Sequence, residues 1–321
     1  MPVKCVKVFL TRPLHDFAVR HLQKRHVTTT HAGVIPIPKE ALLQNIRDTD
    51  GLVCFPGDVI DREIIDAAAC LKSISTYSVG HDHIDTEYAK KKKIRIGYTP
   101  DVLTDATADL AMALILDVSR RVTEGDRIIR AGRWNSMFGA CDYLGRDLRS
   151  KTLGILGMGR IGTAVAKRAI PFGMNITYHN RRPLADNAIA TWVNIEQLVS
   201  ESDIISIHMP HTENTDRMFD EKMFESMKDT AILINTSRGK IINQNDLVAA
   251  LANGVIAGAG LDVFESEPIN SENPLASLQN VVLAPHIGSS TIETRIEMAR
   301  LTIKNLELGM AGKSPIHSVG Y

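Results

Sequence analysis

The chain has 321 residues, of which 44% are hydrophobic and 23% are charged, and its 37 basic side chains balance 37 acidic ones. This composition excludes a disordered or fibrous chain, and the length predicts two domains because a single core rarely extends so far. A formal net charge of zero gives no reason to expect nucleic acid or an anionic membrane as a partner.

Short β-branched runs alternate with amphipathic segments, a pattern typical of parallel α/β folds. In the first third, strands are predicted at residues 6–10, 27–29, 51–54, 73–77 and 94–97, with helices at 14–24, 39–46, 61–69 and 85–91. A long helix is predicted over 101–121 and a second over 123–130. The long helix would link the first α/β domain to a second one.

A new alternating series begins near residue 151. Its strands are predicted at 152–156, 175–179, 191–193, 203–208, 231–235, 256–261 and 281–284, and its helices at 161–169, 195–199, 221–226 and 244–252. Asn243 is suited to cap the start of the 244–252 helix, and Gly254 to follow its end. One more helix is predicted over 291–308.

The features that report on cellular location point to the cytoplasm. The cysteines lack the spacing of a disulfide framework or zinc site, which favours reduced thiols; they are Cys5, Cys54, Cys70 and Cys141. The N-terminal stretch alternates apolar and polar residues and lacks the apolar run of a signal peptide. The most apolar helical stretch, residues 110–116, is flanked by Asp109 and Asp117 and is too short to span a bilayer.

The loop after the 152–156 strand contains the pattern GxGxxG as Gly157, Gly159 and Gly162. A strand precedes it and a helix follows, which is the setting of a dinucleotide-binding turn. The N-terminus of that helix, with Arg160 and Ile161, would face the pyrophosphate of the cofactor. A purely structural tight turn is the alternative.

The next strand ends in Tyr178-His179-Asn180-Arg181-Arg182, where an NAD-binding fold usually carries an acidic residue. No Asp or Glu occurs there before Asp186. Asn180 removes a charge that would repel a 2′-phosphate, and Arg181 and Arg182 supply charge that would bind it. This stretch therefore favours NADP(H), with NAD(H) possible as well; a solvent-exposed basic turn is the alternative.

Polar residues follow three other strands of the second series, and chemistry collects at the carboxyl ends of parallel strands. Arg238 follows one strand, Glu265 and Glu267 follow the next, and His286 follows the last. This set suits reduction of a 2-keto acid: Arg238 would bind and polarise the substrate, and His286 would donate a proton. Spacing alone leaves open which glutamate pairs with His286, and whether these residues are instead structural.

Two histidine pairs raise the question of a metal site. His208 with His211, and His81 with His83, lack a Cys or carboxylate companion at familiar ligand spacing. We therefore expect no metal.

Together these motifs resemble the D-isomer-specific 2-hydroxyacid dehydrogenases. The likeness rests on the glycine loop, on Asn-Thr-Ser-Arg-Gly at 235–239, on Gly-Leu-Asp-Val-Phe at 260–264 with Glu267-Pro268, and on Pro-His-Ile-Gly at 285–288. The family's first domain is matched as well, by residues 75–80, 82–85 and 97–104. The likeness therefore covers essentially the whole chain. Within the family, the chain is most similar to glyoxylate/hydroxypyruvate reductases.

The resemblance implies two Rossmann-like or flavodoxin-like parallel-sheet domains. A substrate domain of residues 1–98 plus 288–321 would be interrupted by an NAD(P)-binding domain of residues 99–287. The substrate, a small 2-keto or 2-hydroxy acid, would bind in the cleft between them, and closure would exclude water. Family members are usually homodimers, with residues 101–140 at the interface.

The resemblance also implies roles for single residues. Arg238 would bind substrate, His286 would be the acid/base, and Glu267 rather than Glu265 would pair with it. The remaining implied contacts are the Val79 and Gly80 N–H groups with the substrate carboxylate, Asp262 with the nicotinamide carboxamide, and Pro210, Thr236 and Gly288 with the cofactor.

One position departs from the pattern. Relatives of the hydroxypyruvate-reductase type tend to carry two tryptophans in the stretch that corresponds to residues 133–137, whereas this chain has Trp134 and then Met137. The preference between glyoxylate and hydroxypyruvate is therefore left open.

The activity that the resemblance implies is NAD(P)H-dependent reduction of glyoxylate to glycolate and of hydroxypyruvate to D-glycerate. The alternatives are an NAD-dependent dehydrogenase of another D-2-hydroxy acid, such as D-lactate or phosphoglycerate, and a dinucleotide-sensing protein similar to a corepressor.

Overall fold

A computed structural model describes residues 6–137, 139–185 and 189–319. Cys5 and Asp186 lie outside the described residues. The chain divides into two compact units, one of residues 1–103 with 290–321 and one of residues 104–289. The unit boundaries thus fall after Leu103 and Ser289, whereas the sequence placed them after residues 98 and 287. None of the described helices combines the length and apolar character needed to cross a membrane.

The first unit contains a parallel sheet of five strands in the order β2-β1-β3-β4-β5. Its strands are β1 (Lys7–Leu10), β2 (Val27–Thr30), β3 (Gly51–Cys54), β4 (Ser73–Thr76) and β5 (Arg95–Gly97). Its first helices are α1 (Asp16–Gln23), α2 (Lys39–Ile46), α3 (Arg62–Ala67) and α4 (Thr86–Lys91). Strands β3 and β4 are buried along their whole length, as expected where helices cover both faces of a parallel sheet.

The second unit begins with α5 (Thr104–Arg120) and α6 (Val122–Arg130). The predicted start of the long helix at Asp101 is wrong. Asp101 has a φ of +69°, a left-handed conformation that an α-helix does not contain, so the helix begins three residues later. Ala108, Ala111 and Ile115 then form its buried face.

A parallel sheet of seven strands forms the centre of the second unit, in the order β12-β11-β10-β9-β6-β7-β8. Its strands are β6 (Thr152–Leu156), β7 (Asn175–His179), β8 (Thr191–Trp192), β9 (Ile204–Ile207), β10 (Ile232–Asn235), β11 (Gly258–Leu261) and β12 (Val281–Leu283). The order reverses at β6, which pairs with β7 on one side and β9 on the other. In open parallel sheets such a reversal creates a crevice beyond the carboxyl ends of the strands.

The remaining helices are α7 (Arg160–Ala169), α8 (Ile195–Glu201), α9 (Glu221–Glu225), α10 (Gln244–Ala252) and α11 (Ile292–Met310). As predicted, the Asn243 side chain caps α10 by accepting from Asn245 N, and Gly254 follows that helix with a φ of +68°. Helix α11 belongs to the first unit, where Asn305 Nδ2 donates to Tyr98 O at 2.9 Å. The predicted fold class, two parallel-sheet α/β domains, is confirmed.

Candidate active site

The glycine loop joins β6 to α7, and each of its three glycines meets a different requirement. Gly157 has a φ of +94°, and a Cβ there would lie 2.7 Å from Met209 N. A Cβ on Gly162 would lie 2.4 Å from Gly157 O, so α7 packs directly against the loop. Around Gly159 no described atom lies within 4 Å of a Cβ position. The loop is therefore tight on two sides and open at the helix N-terminus, which suits the pyrophosphate of a dinucleotide.

Asn180 holds this loop in place from the end of β7. Its Oδ1 accepts from Met158 N at 2.8 Å, and its backbone carbonyl accepts from Trp192 Nε1 at 3.0 Å. From the sequence, Asn180 is predicted only to remove a negative charge, and its contact with the glycine loop has no signature there. His179, for which no role is predicted, bonds Val193 O through Nδ1 at 3.0 Å and lies beside the Trp192 ring.

The side chains of Arg181 and Arg182 are exposed just after this strand. In the part of the chain that the structure describes, neither guanidinium forms an ion pair or a hydrogen bond. Two cationic groups are therefore available beyond β7.

The loop after β10 carries Arg238 and is braced by its neighbours. Asn235 accepts from Ser237 N at 3.0 Å and donates to Arg238 O at 2.9 Å. A Cβ on Gly239 would lie 1.9 Å from the backbone of Phe264, so only glycine permits this approach. The absence of a side chain at Gly239 thus brings the Arg238 loop against the loop that follows β11.

His286 and Glu267 form a direct pair. His286 Nδ1 lies 2.7 Å from Glu267 Oε2, and Glu267 Oε1 accepts from Phe264 N at 3.0 Å. Glu265 instead forms an ion pair with Arg217. Spacing left both glutamates open as partners of His286, and the geometry selects Glu267.

The environment of Glu267 keeps its carboxyl group ionised. Burial acts to raise its pKa, but the hydrogen bond and the charge of His286 lower it. The Phe264 N–H and the charge of Arg238 act in the same direction, so the pKa of Glu267 lies below its usual value. At neutral pH a carboxylate is therefore present to support a positive charge on His286.

Asp262 fixes the backbone on which His286 lies. Its two carboxylate oxygens accept from Ile287 N at 2.7 Å and from Gly288 N at 2.8 Å. His286 has a φ of +54°, which is costly for a residue other than glycine and needs such support. Burial raises the pKa of Asp262. This bracing contact is not predictable from the sequence, and the contact of Asp262 with the nicotinamide carboxamide stays a prediction.

The other expected cofactor contacts lie on the same strand-end loops. Pro210 is exposed after β9, and Thr236 Oγ1 is buried after β10. Within the described residues this hydroxyl has no hydrogen-bond partner, which leaves it free to bond a cofactor.

Val79 and Gly80 lie in the first unit, on the loop after β4. Within residues 6–137, 139–185 and 189–319, no acceptor is bonded to either of their backbone N–H groups. The loop therefore presents two donors that an anionic group can use.

The histidine pairs have other partners. Burial lowers the pKa of His208 to about 4, and its Nε2 bonds Ser206 Oγ. His211 bonds Asp216, and His83 lies beside Thr76. Among the described residues, no group of three His, Cys, Asp or Glu side chains is placed to hold a metal ion.

Residues 112–288 match the family model described as D-isomer specific 2-hydroxyacid dehydrogenase, NAD binding domain. Over 315 residues the chain is 47% identical to a glyoxylate reductase of Thermococcus litoralis, an alignment covering 96% of this chain and 95% of that protein. The chain belongs to the D-isomer specific 2-hydroxyacid dehydrogenase family.

Solved structures of similar proteins share the fold. A glyoxylate reductase from Paecilomyes thermophila is 32% identical with a TM-score of 0.89, covering 99% of each chain. An NADPH-dependent glyoxylate/hydroxypyruvate reductase from Sinorhizobium meliloti, in complex with NADP and malonate, is 30% identical with a TM-score of 0.86. That comparison covers 98% of this chain and 97% of the other.

Membership of the family establishes the general activity. The protein is an oxidoreductase that uses a nicotinamide dinucleotide and acts on a small keto or hydroxy acid.

Proposed function

We propose that this family member reduces glyoxylate to glycolate and hydroxypyruvate to D-glycerate, and that it prefers NADPH to NADH. The observation that carries the proposal is the His286–Glu267 pair, held beside the Arg238 loop at the carboxyl ends of the strands. The similarity to glyoxylate reductases supports the choice of substrate. Turnover of glyoxylate with NADPH by the purified protein tests the proposal, and binding of the dinucleotide without turnover would favour a sensor instead.

The proposed reaction needs a hydride at C2 of the keto acid and a proton on its keto oxygen. The bound dinucleotide supplies the hydride. Glu267 engages His286 Nδ1, so Nε2 is the ring nitrogen that remains to donate the proton. Arg238 would bind the substrate and polarise the keto bond, while the Val79 and Gly80 N–H groups would hold the substrate carboxylate.

The preference for NADPH rests on the residues at the end of β7. The amide of Asn180 is engaged with the glycine loop and carries no negative charge that would repel a 2′-phosphate. Arg181 and Arg182 are exposed beside it and suit a charge-assisted bond to that phosphate. An acidic side chain here would instead favour the ribose hydroxyls of NADH.

We also propose that two copies of the chain associate through the region of α6. This helix has no buried residue, although it is strongly amphipathic. The exposed apolar side chains on and after it are Val122, Ile129, Trp134, Met137, Tyr143 and Leu144.

We expect a molar mass in solution of twice 35.3 kDa, measured by light scattering. Ile129→Glu places a charge on the exposed face and should shift the protein toward the monomer. Val27→Glu is a matched control, because Val27 is an exposed apolar residue on β2 in the first unit. A monomer at all concentrations would contradict the proposal.

A further inference from the structure

A chain of hydrogen-bonded side chains lies beneath the loop that carries Val79 and Gly80. Ser78 Oγ lies 2.6 Å from Gly80 O, and Thr76 Oγ1 lies 2.7 Å from Ser78 Oγ. His83 Nε2 lies 3.1 Å from Thr76 Oγ1. Thr76 and Ser78 are buried, with 0% and 6% of their surface exposed. The reaction steps described above assign no role to these three side chains.

The carbonyl group at one end fixes the direction of every hydrogen bond in this relay of His83, Thr76 and Ser78. A carbonyl oxygen only accepts, so Ser78 donates its proton to Gly80 O and accepts from Thr76. The Thr76 hydroxyl has then used its own proton, so its oxygen accepts from His83 Nε2. The relay therefore requires a proton on His83 Nε2 and directs every donor toward Gly80.

The relay holds one side of the loop, and a backbone hydrogen bond from Thr99 holds the other. Thr99 N donates to Ser78 O at 2.9 Å, which orients the planar peptide group that contains the Val79 N–H. Ser78 Oγ orients the peptide group after Gly80 through its carbonyl oxygen. The peptide group that carries the Gly80 N–H lies between these two and has little freedom to turn.

We propose that Thr76, Ser78 and His83 are positioning residues that orient the Gly80 N–H group toward the carboxylate of the substrate. The inference rests on the proposed function, which supplies that carboxylate. Hydrogen bonds weaken steeply when donor and acceptor are misaligned, so donors held in advance bind the anion better. Loss of the relay leaves the Gly80 N–H group present but freer to turn, while the hydrogen bond from Thr99 N to Ser78 O still holds the Val79 peptide group. Substrate binding is then weakened, while proton donation by His286 is not affected.

Thr76→Val and Ser78→Ala each break the relay at one hydroxyl. We expect either change to raise KM for glyoxylate and Kd for oxalate, measured with NADPH-loaded enzyme, by about fivefold, the size expected for one lost hydrogen bond. The kcat value should change little. Thr76→Ser keeps the hydroxyl and should restore both constants.

Ser75→Ala is the matched control for these variants. Ser75 is equally buried in the same strand, but its Oγ donates to Thr302 O at 2.9 Å, away from the loop. Its loss should leave KM and the oxalate Kd unchanged. An equal rise in this control would overturn the proposal, because the effect would then come from general loosening of β4.

The two proposals fail in different ways. Absence of glyoxylate turnover by the unsubstituted protein would refute the proposed function. Normal turnover with unchanged KM and oxalate Kd in Thr76→Val and Ser78→Ala would overturn the relay alone. His83→Phe removes the donor to Thr76 Oγ1 without changing a residue of β4. If Thr76→Val fails to fold, this variant takes its place, and we expect the same rise in KM and in the oxalate Kd.

Discussion

Replacing His286 by Asn is expected to lower kcat for glyoxylate by about 10²–10⁴, the usual contribution of a general acid. Asn lacks an acidic proton that it could give to the keto oxygen. It also tolerates a positive φ better than Ala does, so the φ of +54° at this position need not change. Affinity for NADPH, measured by fluorescence titration, should stay as it is. A near-normal kcat would remove His286 as the proton donor.

His21→Ala provides the matched control for the His286 variant. His21 also pairs with a carboxylate, since its Nε2 lies 2.9 Å from Glu307 Oε1, but it lies in the first unit on α1. Its loss removes a histidine–carboxylate pair without touching the strand-end loops of the second unit. A comparable fall in kcat would show that the effect of His286→Asn is one of stability rather than of proton transfer.

Replacing Arg181 and Arg182 together by Ala is expected to raise Kd for NADPH by about 10- to 100-fold, the range for losing charge-assisted hydrogen bonds. Kd for NADH should change little, because NADH lacks the 2′-phosphate. The single variants show which arginine makes the contact. Rising salt should also weaken NADPH binding more in the unsubstituted protein than in the double variant, because salt screens the charge–charge contact that the variant lacks.

Lys90→Ala with Lys91→Ala is the control for this loss of charge. It removes two exposed positive charges from α4 in the first unit and should leave both dinucleotide affinities unchanged. If the arginine variant weakens NADH and NADPH equally, the arginines do not recognise the 2′-phosphate.

The general position of the site was predictable from the sequence because the sheet is parallel. Each part of the site follows a strand, and parallel strands end at one edge of the sheet. These parts are the glycine loop, Arg238, Glu267 and His286. Spacing along the chain could not select between Glu265 and Glu267. That choice depends on how the loop after β11 turns and on the pairing of Glu265 with Arg217.

The supporting contacts could not be predicted, because they depend on backbone conformation and on distant partners. Asp262 braces the two residues after His286, which lie 25 and 26 positions further along the chain. Asn180 reaches back to Met158 in the glycine loop. The left-handed conformations of Asp101 and His286 have no signature in composition or periodicity, and the first of them delays the start of α5.

The most direct test of the account is a set of steady-state measurements on the unsubstituted protein. Glyoxylate, hydroxypyruvate and pyruvate are each combined with NADPH and with NADH, and kcat/KM is determined for all six pairs. We expect turnover of glyoxylate and hydroxypyruvate, with pyruvate poorer, and a higher kcat/KM with NADPH for every substrate. Turnover that is faster with NADH, or that is largest with pyruvate, would contradict the account.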